Sequence, residues 1–532
     1  MIDGQENKNR PKPVVLVIFD GWGVSQDYAG NAITQAETPV IDMLTAEYPS
    51  TVLQASGEAV GLPWGEAGNS EVGHLSLGLG RVLYQELPRI NRAINDGSFV
   101  NNEALLEAME NVKKNDSALH FLGLLSDGGV HSSVEHLYTL LKFAKDNKIK
   151  KVYVHAVLDG RDTALNSGKD FIRNLERVML NNGAGKIATL AGRFYTMDRN
   201  NNWDRIEKGY QAMVMGIGNK ADSTLEAIDE SYKKKIFDEE FVPTVIMENG
   251  EPVAKIKDND SVIFFNYRPD RARQITKAFV SPDFVKFKRG DFLENLFFAT
   301  FTEYEKGLPV HVIFPSETII NSLGEVLSKN GLKQLRIAET EKYAHVTYFF
   351  NGGLEQPLPG EEHILVPSPM VDSYDKKPEM SAIEVCKKLL EEMDKNIYDF
   401  ILVNFANADM VGHTGNIEAA VIGVEVIDDC LGKIVKKVLA KDGVLLLTAD
   451  HGNAEIMFNM QTGQIDKEHT SNPVPFIIVG NKYAGHNFNW ENPAGNDLSL
   501  VSVQGILPDV APTILKIMNI DAPKEMRGVS LV

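Results

Sequence analysis

The strongest constraint on the fold is an apolar run that ends abruptly in reactive side chains, VLLLTADHGN at Val444–Asn453. Such a run is typical of a buried strand in an α/β sheet. Open α/β sheets bind ligands beyond the carboxyl ends of their strands. Asp450 and His451 stand at that position, and a carboxylate beside an imidazole indicates a metal site. The alternative is a hydrogen-bonded pair that orients a loop.

Two further apolar runs have the same design. VVLVIF, at Val14–Phe19, ends in Asp20, and ILVNF, at Ile401–Phe405, is followed by Asp409 and His413. Because the last two residues are four apart, they share one face of a helix and could bind one ion. A helix-capping aspartate and a surface histidine are the alternative.

Asp450 and His451 are adjacent, so their side chains diverge. They would suit a second ion better than the ion on Asp409 and His413. With His469 the chain offers three carboxylates and three imidazoles, which favours two divalent ions of the manganese, magnesium or zinc kind. The set contains no cysteine, which argues against a structural zinc site. The only two cysteines, Cys386 and Cys430, are too few for a disulfide framework and are typical of a reducing cytoplasm.

Ser70 lies in Gly68–His74, GNSEVGH, whose spacing differs from the G-x-S-x-G elbow of the α/β-hydrolases. We expect Ser70 at or near a helix start, where free N–H groups favour an anion. A serine hydroxyl needs a base or a metal to act as a nucleophile. The alternative is a serine that only caps the helix.

Between about Arg89 and Pro315 the pattern indicates a separate succession of strands and helices. Its loops carry a group of arginines, and arginine binds phosphate and carboxylate bidentately. In RPDRAR, Pro269 favours the first turn of a helix, which would place Arg268 and Arg271 beside an N-terminus. For any single arginine a surface salt bridge is the alternative. The same region contains other candidates, nearly all in loops that follow apolar runs: His131, Asp159, Arg161, Asp162, Arg193, Arg199 and Arg273.

A chain of 532 residues exceeds what one hydrophobic core usually holds. Asp20 and Ser70 come early and the other proposed ligands come late, so they meet only if the middle segment is an insertion. The sequence therefore predicts one domain from residues 13–84 and 318–532, with the metal ions and the serine. It predicts an inserted second domain at 88–314 and a flexible tail at 1–12.

The charge balance restricts the partners. Lys and Arg number 54 against 73 Asp and Glu, a net charge of −19, which repels nucleic acid and anionic membranes. No apolar run approaches the roughly 18 residues that a membrane span needs. The N-terminus MIDGQENKNRPKP lacks the apolar segment of a secretory signal. We therefore expect a cytoplasmic, monomeric protein that acts on a small molecule.

Five motifs together resemble the cofactor-independent phosphoglycerate mutases of the alkaline phosphatase superfamily. They are GNSEVGH, ADHGNAE, DGRDT, GRFYTMDR and RPDRARQ, and the resemblance extends from about Pro13 to the C-terminus. It implies an α/β fold in which an alkaline-phosphatase-like metal-binding domain is interrupted by an inserted second α/β domain. It also implies two divalent ions, Mn²⁺ or Mg²⁺, and no requirement for 2,3-bisphosphoglycerate.

The resemblance further implies roles for individual residues. One ion would lie on Asp409, His413 and His469, and the other on Asp20, Ser70, Asp450 and His451. Ser70 would carry the phosphoryl group transiently, beside Lys342. The loop group His131, Arg161, Asp162, Arg193, Arg199, Arg268 and Arg271, together with Lys342, would hold phosphoglycerate. Asp162 is the candidate for proton transfer, and the inserted domain would act as a lid.

The implied reaction is the interconversion of 3-phosphoglycerate and 2-phosphoglycerate through a phosphoserine. A metal-dependent phosphohydrolase and a phosphopentomutase of the same superfamily are the nearest alternatives. A non-catalytic anion-binding protein on the same scaffold is a third, against which the complete ligand set argues. The bisphosphoglycerate-dependent mutases use a histidine in an Arg-His-Gly context, and no such tripeptide occurs in this chain.

Overall fold

The computed structural model describes residues 10–26, 28–486 and 497–532. The chain divides into two compact units. Unit 1 comprises residues 1–85 and 318–532, and unit 2 comprises residues 86–317. Residues 1–9 of the predicted tail lie outside the described residues. Within the rest of that tail, the Arg10 Nε donates a hydrogen bond to the Met518 carbonyl at 2.8 Å.

The strands are β1 Val14–Phe19, β2 Ser50–Gln54, β3 Leu119–Leu125, β4 Val152–Leu158, β5 Lys186–Gly192, β6 Asn219–Ala221, β7 Thr244–Glu248, β8 Glu251–Pro252, β9 Ser261–Phe264, β10 Phe297–Thr300, β11 His311–Val312, β12 Gln334–Glu339, β13 Glu361–Val366, β14 Phe400–Phe405, β15 Val444–Thr448, β16 Phe458–Asn459, β17 Gln464–Ile465, β18 Val474–Val479 and β19 Val503–Ile506.

The α-helices are α1 Ala32–Gln35, α2 Pro39–Glu47, α3 Ser70–Leu79, α4 Glu86–Asn95, α5 Glu103–Asn115, α6 Val134–Asp146, α7 Gly168–Asn182, α8 Arg193–Thr196, α9 Trp203–Val214, α10 Thr224–Lys233, α11 Arg273–Val280, α12 Leu323–Lys329, α13 Thr340–Ala344, α14 Ala382–Asp394, α15 Asn407–Gly412, α16 Ile417–Ala440 and α17 Val510–Ile517. A π-helical turn, His345–Phe349, follows α13.

Unit 1 is built on an eight-stranded sheet in the order β13-β12-β14-β1-β15-β18-β2-β19. The first five strands of this order are mutually parallel. Strands β1, β14 and β15 are buried along their whole length, as the apolar runs predict. Asp20, Asp409 and Asp450 follow these three neighbouring strands. The sheet therefore brings their side chains to one edge.

Unit 2 contains a second sheet, with β11-β10-β9-β3-β4-β5 parallel and β7 antiparallel to β5. The succession of strands and helices that the pattern indicates between Arg89 and Pro315 is confirmed. One expectation is wrong: α11 begins at Arg273, and Pro269 stands in the turn before it. Arg268 and Arg271 therefore lie in a loop and do not flank the first turn of the helix.

Both units alternate helices with mainly parallel strands, which confirms the predicted α/β class. Cys386 and Cys430 are free and buried. Among the described residues, no helix has both the length and the apolar character that a membrane crossing requires.

The core of unit 2 contains a histidine whose burial generates a pH dependence. His136, on α6, is fully buried against the rings of Tyr267 and Phe301. Its Nε2 lies 2.8 Å from Asn91 Oδ1 and donates a hydrogen bond to it. Burial lowers the pKa of His136 from 6.5 to about 4. The unfolded chain therefore takes up the proton first as the pH falls, and the folded state is destabilised below about pH 6.5.

We predict that the substitution His136→Gln, which preserves a donor for Asn91 but does not titrate, weakens the dependence of stability on pH. Between pH 7 and pH 5 the wild type should lose about 2 kcal/mol more unfolding free energy than the variant. Urea unfolding at the two pH values measures this difference. The control His311→Gln removes an exposed histidine and should behave as the wild type does. Equal losses in H136Q and wild type would contradict the assignment.

Candidate metal centre and anion-binding loops

Ser70 is the first residue of α3 and lies within a ring of polar partners. The helix is capped by Asn69, whose side chain accepts a hydrogen bond from Val72 N, so the interpretation of Ser70 as a capping residue is wrong. The Ser70 hydroxyl is buried and lies 3.1 Å from Asp20 Oδ1, 3.0 Å from His451 Nε2 and 2.7 Å from Lys342 Nζ. Its hydroxyl is therefore held among an acid, an imidazole and an ammonium group.

Asp409, His413 and His469 converge on one point. Asp409 Oδ1 lies 3.2 Å from the Nε2 atoms of both histidines, which are 3.0 Å apart. His413 Nδ1 donates a hydrogen bond to the Lys467 carbonyl at 2.7 Å, and His469 Nδ1 donates one to the Gly68 carbonyl at 3.0 Å. The protons are thus on Nδ1, and the two Nε2 lone pairs face each other beside a carboxylate oxygen. This donor set fits a cation, in the arrangement usual for ligating histidines.

Asp20, Asp450 and His451 form a second group, whose ligand atoms lie within 4.8 Å of one another. His451 Nε2 is 3.5 Å from Asp20 Oδ1 and 3.7 Å from Asp450 Oδ2, while its Nδ1 faces the Gly452 carbonyl at 3.2 Å. Asp450 Oδ2 is buried and lies 3.1 Å from His74 Nδ1, but that nitrogen donates to the Ser70 carbonyl, so within the described part of the chain this oxygen accepts no hydrogen bond. A buried carboxylate oxygen that accepts no hydrogen bond and faces an imidazole also fits a cation. His451 forms a further such group with Asp409 and His469.

The electrostatics of this edge favour positive charge. Burial opposes the charge on Lys342, but contacts of 2.5 Å with Asp20 Oδ1 and 2.6 Å with Asp409 Oδ2 outweigh it and raise the pKa of the ammonium group. Burial likewise lowers the pKa of His451, and the carboxylates of Asp450, Asp409 and Asp20 reverse this and raise it to about 10. Three carboxylates buried together thus create a field that stabilises cations.

Two glycines allow the close approach that this geometry needs. A Cβ on Gly73, in α3, would lie 2.5 Å from the Asp450 carbonyl oxygen and 2.7 Å from the Asp450 Cβ. Gly21 has a φ of +75°, and a Cβ there would lie 2.6 Å from Asp409 Cα. The absence of side chains at these positions lets the first turn of α3 and the loop after β1 contact the acidic residues directly.

In unit 2 the loop group lies at the carboxyl ends of β3, β4, β5 and β9. Arg193 is buried, and its Nη1 contacts Asp159 Oδ1 at 2.6 Å and Asp162 Oδ2 at 2.5 Å. Burial opposes its charge, but hydrogen bonds to Asp162 and Asp159 raise the pKa of Arg193. Arg193 therefore forms a buried ion pair and not a surface salt bridge.

The carboxylate of Asp270 contacts three members of the loop group. Its Oδ2 lies 2.7 Å from Arg199 Nη1, and its Oδ1 lies 3.2 Å from Arg268 Nε and 3.7 Å from His131 Nδ1. The salt-bridge interpretation is thus correct for Arg199 and Arg268. Both side chains are nearly half exposed, however, so they can also contact a ligand.

Positive charge remains in excess around Arg271. Burial lowers the pKa of Arg271, and the neighbouring charges of Arg193, Arg199 and Arg161 lower it further. Arg161 itself is half exposed, with its Nη1 3.6 Å from Glu239 Oε1. Burial and the Arg193 charge lower the pKa of His131 to about 4, so its imidazole is neutral at pH 7. A group of arginines that repel one another, beside a neutral histidine, favours an anionic ligand.

Sequence reasoning missed four polar residues that hold these groups in place. Asn404 donates to Asp20 Oδ2 at 2.7 Å, and Asn453 donates to Asp409 Oδ1 at 2.9 Å. His74 lies 2.9 Å from the Ser70 carbonyl, and Asp270 orders the loop arginines. One signal was available: Asn404 is a polar residue in an otherwise apolar strand, ILVNF.

Comparison with known proteins shows which family this chain resembles. A family model described as "BPG-independent PGAM N-terminus" matches residues 90–306. The 2,3-bisphosphoglycerate-independent phosphoglycerate mutase of Clostridium perfringens is 52% identical over 522 residues, 98% of this chain and 99% of that protein. The enzyme of the same name from Clostridium novyi is 53% identical over 521 residues, with the same coverage.

A solved structure is also similar. The phosphoglycerate mutase of Leishmania mexicana, studied at low cobalt concentration, is 31% identical with a TM-score of 0.50, covering 98% of this chain and 97% of that one. The fold and these relatives define an enzyme of the mutase class. The chain belongs to the family of 2,3-bisphosphoglycerate-independent phosphoglycerate mutases.

We predict that Gly73→Ala strongly impairs the enzyme, because the added Cβ must displace either Asp450 or the first turn of α3. A displacement near 1 Å at a reacting group costs about 100-fold in rate. Steady-state kinetics measures the loss. Gly432→Ala on α16, where a Cβ would meet the Val40 side chain at 3.0 Å, is the control and should retain activity. Full activity in G73A would show that the close approach is unimportant.

Proposed function

We propose that this protein interconverts 3-phosphoglycerate and 2-phosphoglycerate through a phosphoserine at Ser70, without 2,3-bisphosphoglycerate. The observation that carries the proposal is the buried Ser70 hydroxyl, held 2.7 Å from Lys342 Nζ and 3.0 Å from His451 Nε2 at the start of α3. The free N–H groups of a helix start favour a phosphoryl group at that position. Family membership supports the choice of substrate.

Two divalent ions, Mn²⁺ or Mg²⁺, complete the proposed site. Asp409, His413 and His469 would hold one ion, and the other would lie on the set Asp20, Ser70, Asp450 and His451. The donors are oxygen and nitrogen only, which suits these ions. Bound there, the ions would activate the serine hydroxyl and neutralise charge on the phosphoryl oxygens.

The chain's own residues account for the bonds that change. Ser70 Oγ attacks the phosphorus and loses its proton, and the bond from phosphorus to the glycerate oxygen breaks with its electron pair on that oxygen. The released oxygen takes a proton. The other glycerate hydroxyl then gives up its proton and attacks the phosphorus, and the bond from phosphorus to Ser70 Oγ breaks with its electron pair on Oγ, which regains a proton. Asp162 is assigned this proton transfer, and the Lys342 ammonium stabilises the phosphoryl oxygens.

The loop group of unit 2 is assigned to the glycerate. His131, which is neutral, and the arginines suit a carboxylate and a phosphate. The glycerate has to be retained while it reorients, and water has to be excluded from the phosphoserine. We assign both tasks to unit 2, acting as a lid. We further propose that the enzyme acts as a monomer, which light scattering after size-exclusion chromatography tests.

We predict that Ser70→Ala abolishes mutase activity, because it removes the hydroxyl that lies between Lys342 Nζ and His451 Nε2. Manganese binding should largely survive, since six other proposed ligands remain. Conversion of 3-phosphoglycerate and calorimetric titration with MnCl₂ provide the two measurements. Ser76→Ala, on the same helix and also buried, is the matched control and should remain active. Turnover by S70A would contradict the phosphoserine mechanism.

We also predict that mutase activity needs no added 2,3-bisphosphoglycerate, is lost on chelation and returns with manganese. An enolase-coupled assay on 3-phosphoglycerate, before and after treatment with EDTA, measures all three. Inorganic phosphate is followed in parallel. Release of phosphate in place of 2-phosphoglycerate would identify a phosphohydrolase and contradict the proposed role of unit 2.

A further inference from the structure

Asn404 lies at the centre of a buried polar chain beneath the metal centre. It is fully buried in β14, beside Ile18 of β1. Its Nδ2 donates to Asp20 Oδ2 at 2.7 Å and lies 3.0 Å from His74 Nε2. Because a carboxylate oxygen at this distance only accepts, the amide nitrogen is fixed on the side of Asp20. One NH₂ group thus supplies both hydrogens, one to the carboxylate and one to the imidazole.

The orientation of Asn404 fixes the tautomer of His74. The amide donates to Nε2, so the imidazole proton is on Nδ1. That Nδ1 donates to the Ser70 carbonyl at 2.9 Å and lies 3.1 Å from Asp450 Oδ2. The chain of contacts therefore runs from Asp20 through Asn404 and His74 to the backbone of Ser70, beside Asp450.

The contacts of Asp20 divide cleanly between its two oxygens. Oδ2 faces Asn404, whereas Oδ1 faces Ser70 Oγ at 3.1 Å, Lys342 Nζ at 2.5 Å and His451 Nε2 at 3.5 Å. The amide thus fixes the rotation of the carboxylate and keeps Oδ1 directed at the centre. Hydrogen bonds of this kind, from residues behind the metal ligands, orient the ligands and influence the affinity of the site for the metal.

We propose that Asn404 and His74 are positioning residues for one of the two ions, the ion assigned to Asp20, Ser70, Asp450 and His451. The inference rests on the proposed function. It is selective because the carboxylate of the other ion, Asp409, has an amide donor of its own in Asn453, at 2.9 Å. Replacing Asn404 should therefore weaken the binding of one ion and leave the affinity for the other ion unchanged.

The amide nitrogen of Asn404, and not its oxygen, is the atom that makes the hydrogen bonds. Its Oδ1 is buried and has no hydrogen-bond partner within the described ranges. Such an unsatisfied acceptor lowers stability, and an apolar side chain of similar size would avoid the cost. The neighbouring residues of β14 and of β1 are apolar and buried. The NH₂ group, which has two partners, accounts for the presence of asparagine.

The test is a calorimetric titration of the metal-free, full-length enzyme with MnCl₂. We expect the wild type to bind two ions. Asn404→Leu, which preserves the size of the side chain, should bind one ion as the wild type does and the other about 10- to 100-fold more weakly. His74→Ala interrupts the same chain at its other end and should cause the same selective loss, which provides a second variant if N404L does not fold.

Asn351→Leu is the matched control. Asn351 is also a buried asparagine of unit 1, and its Nδ2 donates to a buried carboxylate, Glu361 Oε1, at 2.8 Å, but neither residue belongs to the metal centre. N351L should lower the melting temperature of the metal-free protein and leave both manganese affinities unchanged. The fall in its melting temperature shows how much stability the loss of a buried asparagine costs, and the fall in N404L is compared with it.

The outcomes separate this inference from the proposed function. Wild-type affinity for both ions in N404L and H74A would overturn the positioning role while leaving the metal centre intact. An equal fall in the affinities for both ions would also overturn the positioning role, because a general loss of structure predicts that result. A wild type that binds no manganese would overturn the metal assignment itself, and this inference with it.

Discussion

The metal centre depends on one electrostatic constraint: three carboxylates are buried at the ends of adjacent parallel strands. Asp20, Asp409 and Asp450 are each at most 2% exposed. Burying like charges together is costly unless cations and hydrogen-bond donors compensate for it. Lys342 supplies a cation, and the amides of Asn404 and Asn453 supply donors. These carboxylates therefore require compensating positive charge whether or not substrate is bound.

The loops of unit 2 show the opposite arrangement. There the arginines are in excess, and aspartates hold them in place. Asp159 and Asp162 orient Arg193, and Asp270 orients Arg199 and Arg268. Each ion pair reduces the freedom of a long side chain, so less conformational entropy is lost when an anion binds. Acidic residues in an anion-binding region therefore serve to pre-organise it.

Much of this could be predicted from the sequence, because the information is local. A buried parallel strand is a continuous apolar run, so β1, β14 and β15 and the acids after them are visible directly. The start of α11 at Arg273 was not predicted, because proline also favours the turn that Pro269 occupies. Asn69 and Ser70 are both good capping residues, and only the backbone geometry shows that Asn69 is the cap. The role of Asn404 depends on contacts with Asp20 and His74, which lie more than 300 residues away in the sequence.

The pairing of β1 with β14 and β15 has a consequence for how the protein is made. Strand β1 ends at Phe19, and its partners begin at Phe400 and Val444. At translation rates of about 5 to 20 residues per second, β1 waits roughly 20 to 80 s on the ribosome before a partner strand exists. Unit 2, which has its own sheet and its own hydrophobic core, is synthesised within that interval, whereas unit 1 cannot close its sheet until most of the chain has been synthesised. The nascent chain therefore exposes an aggregation-prone apolar segment, and this is the stage at which a chaperone would be most needed.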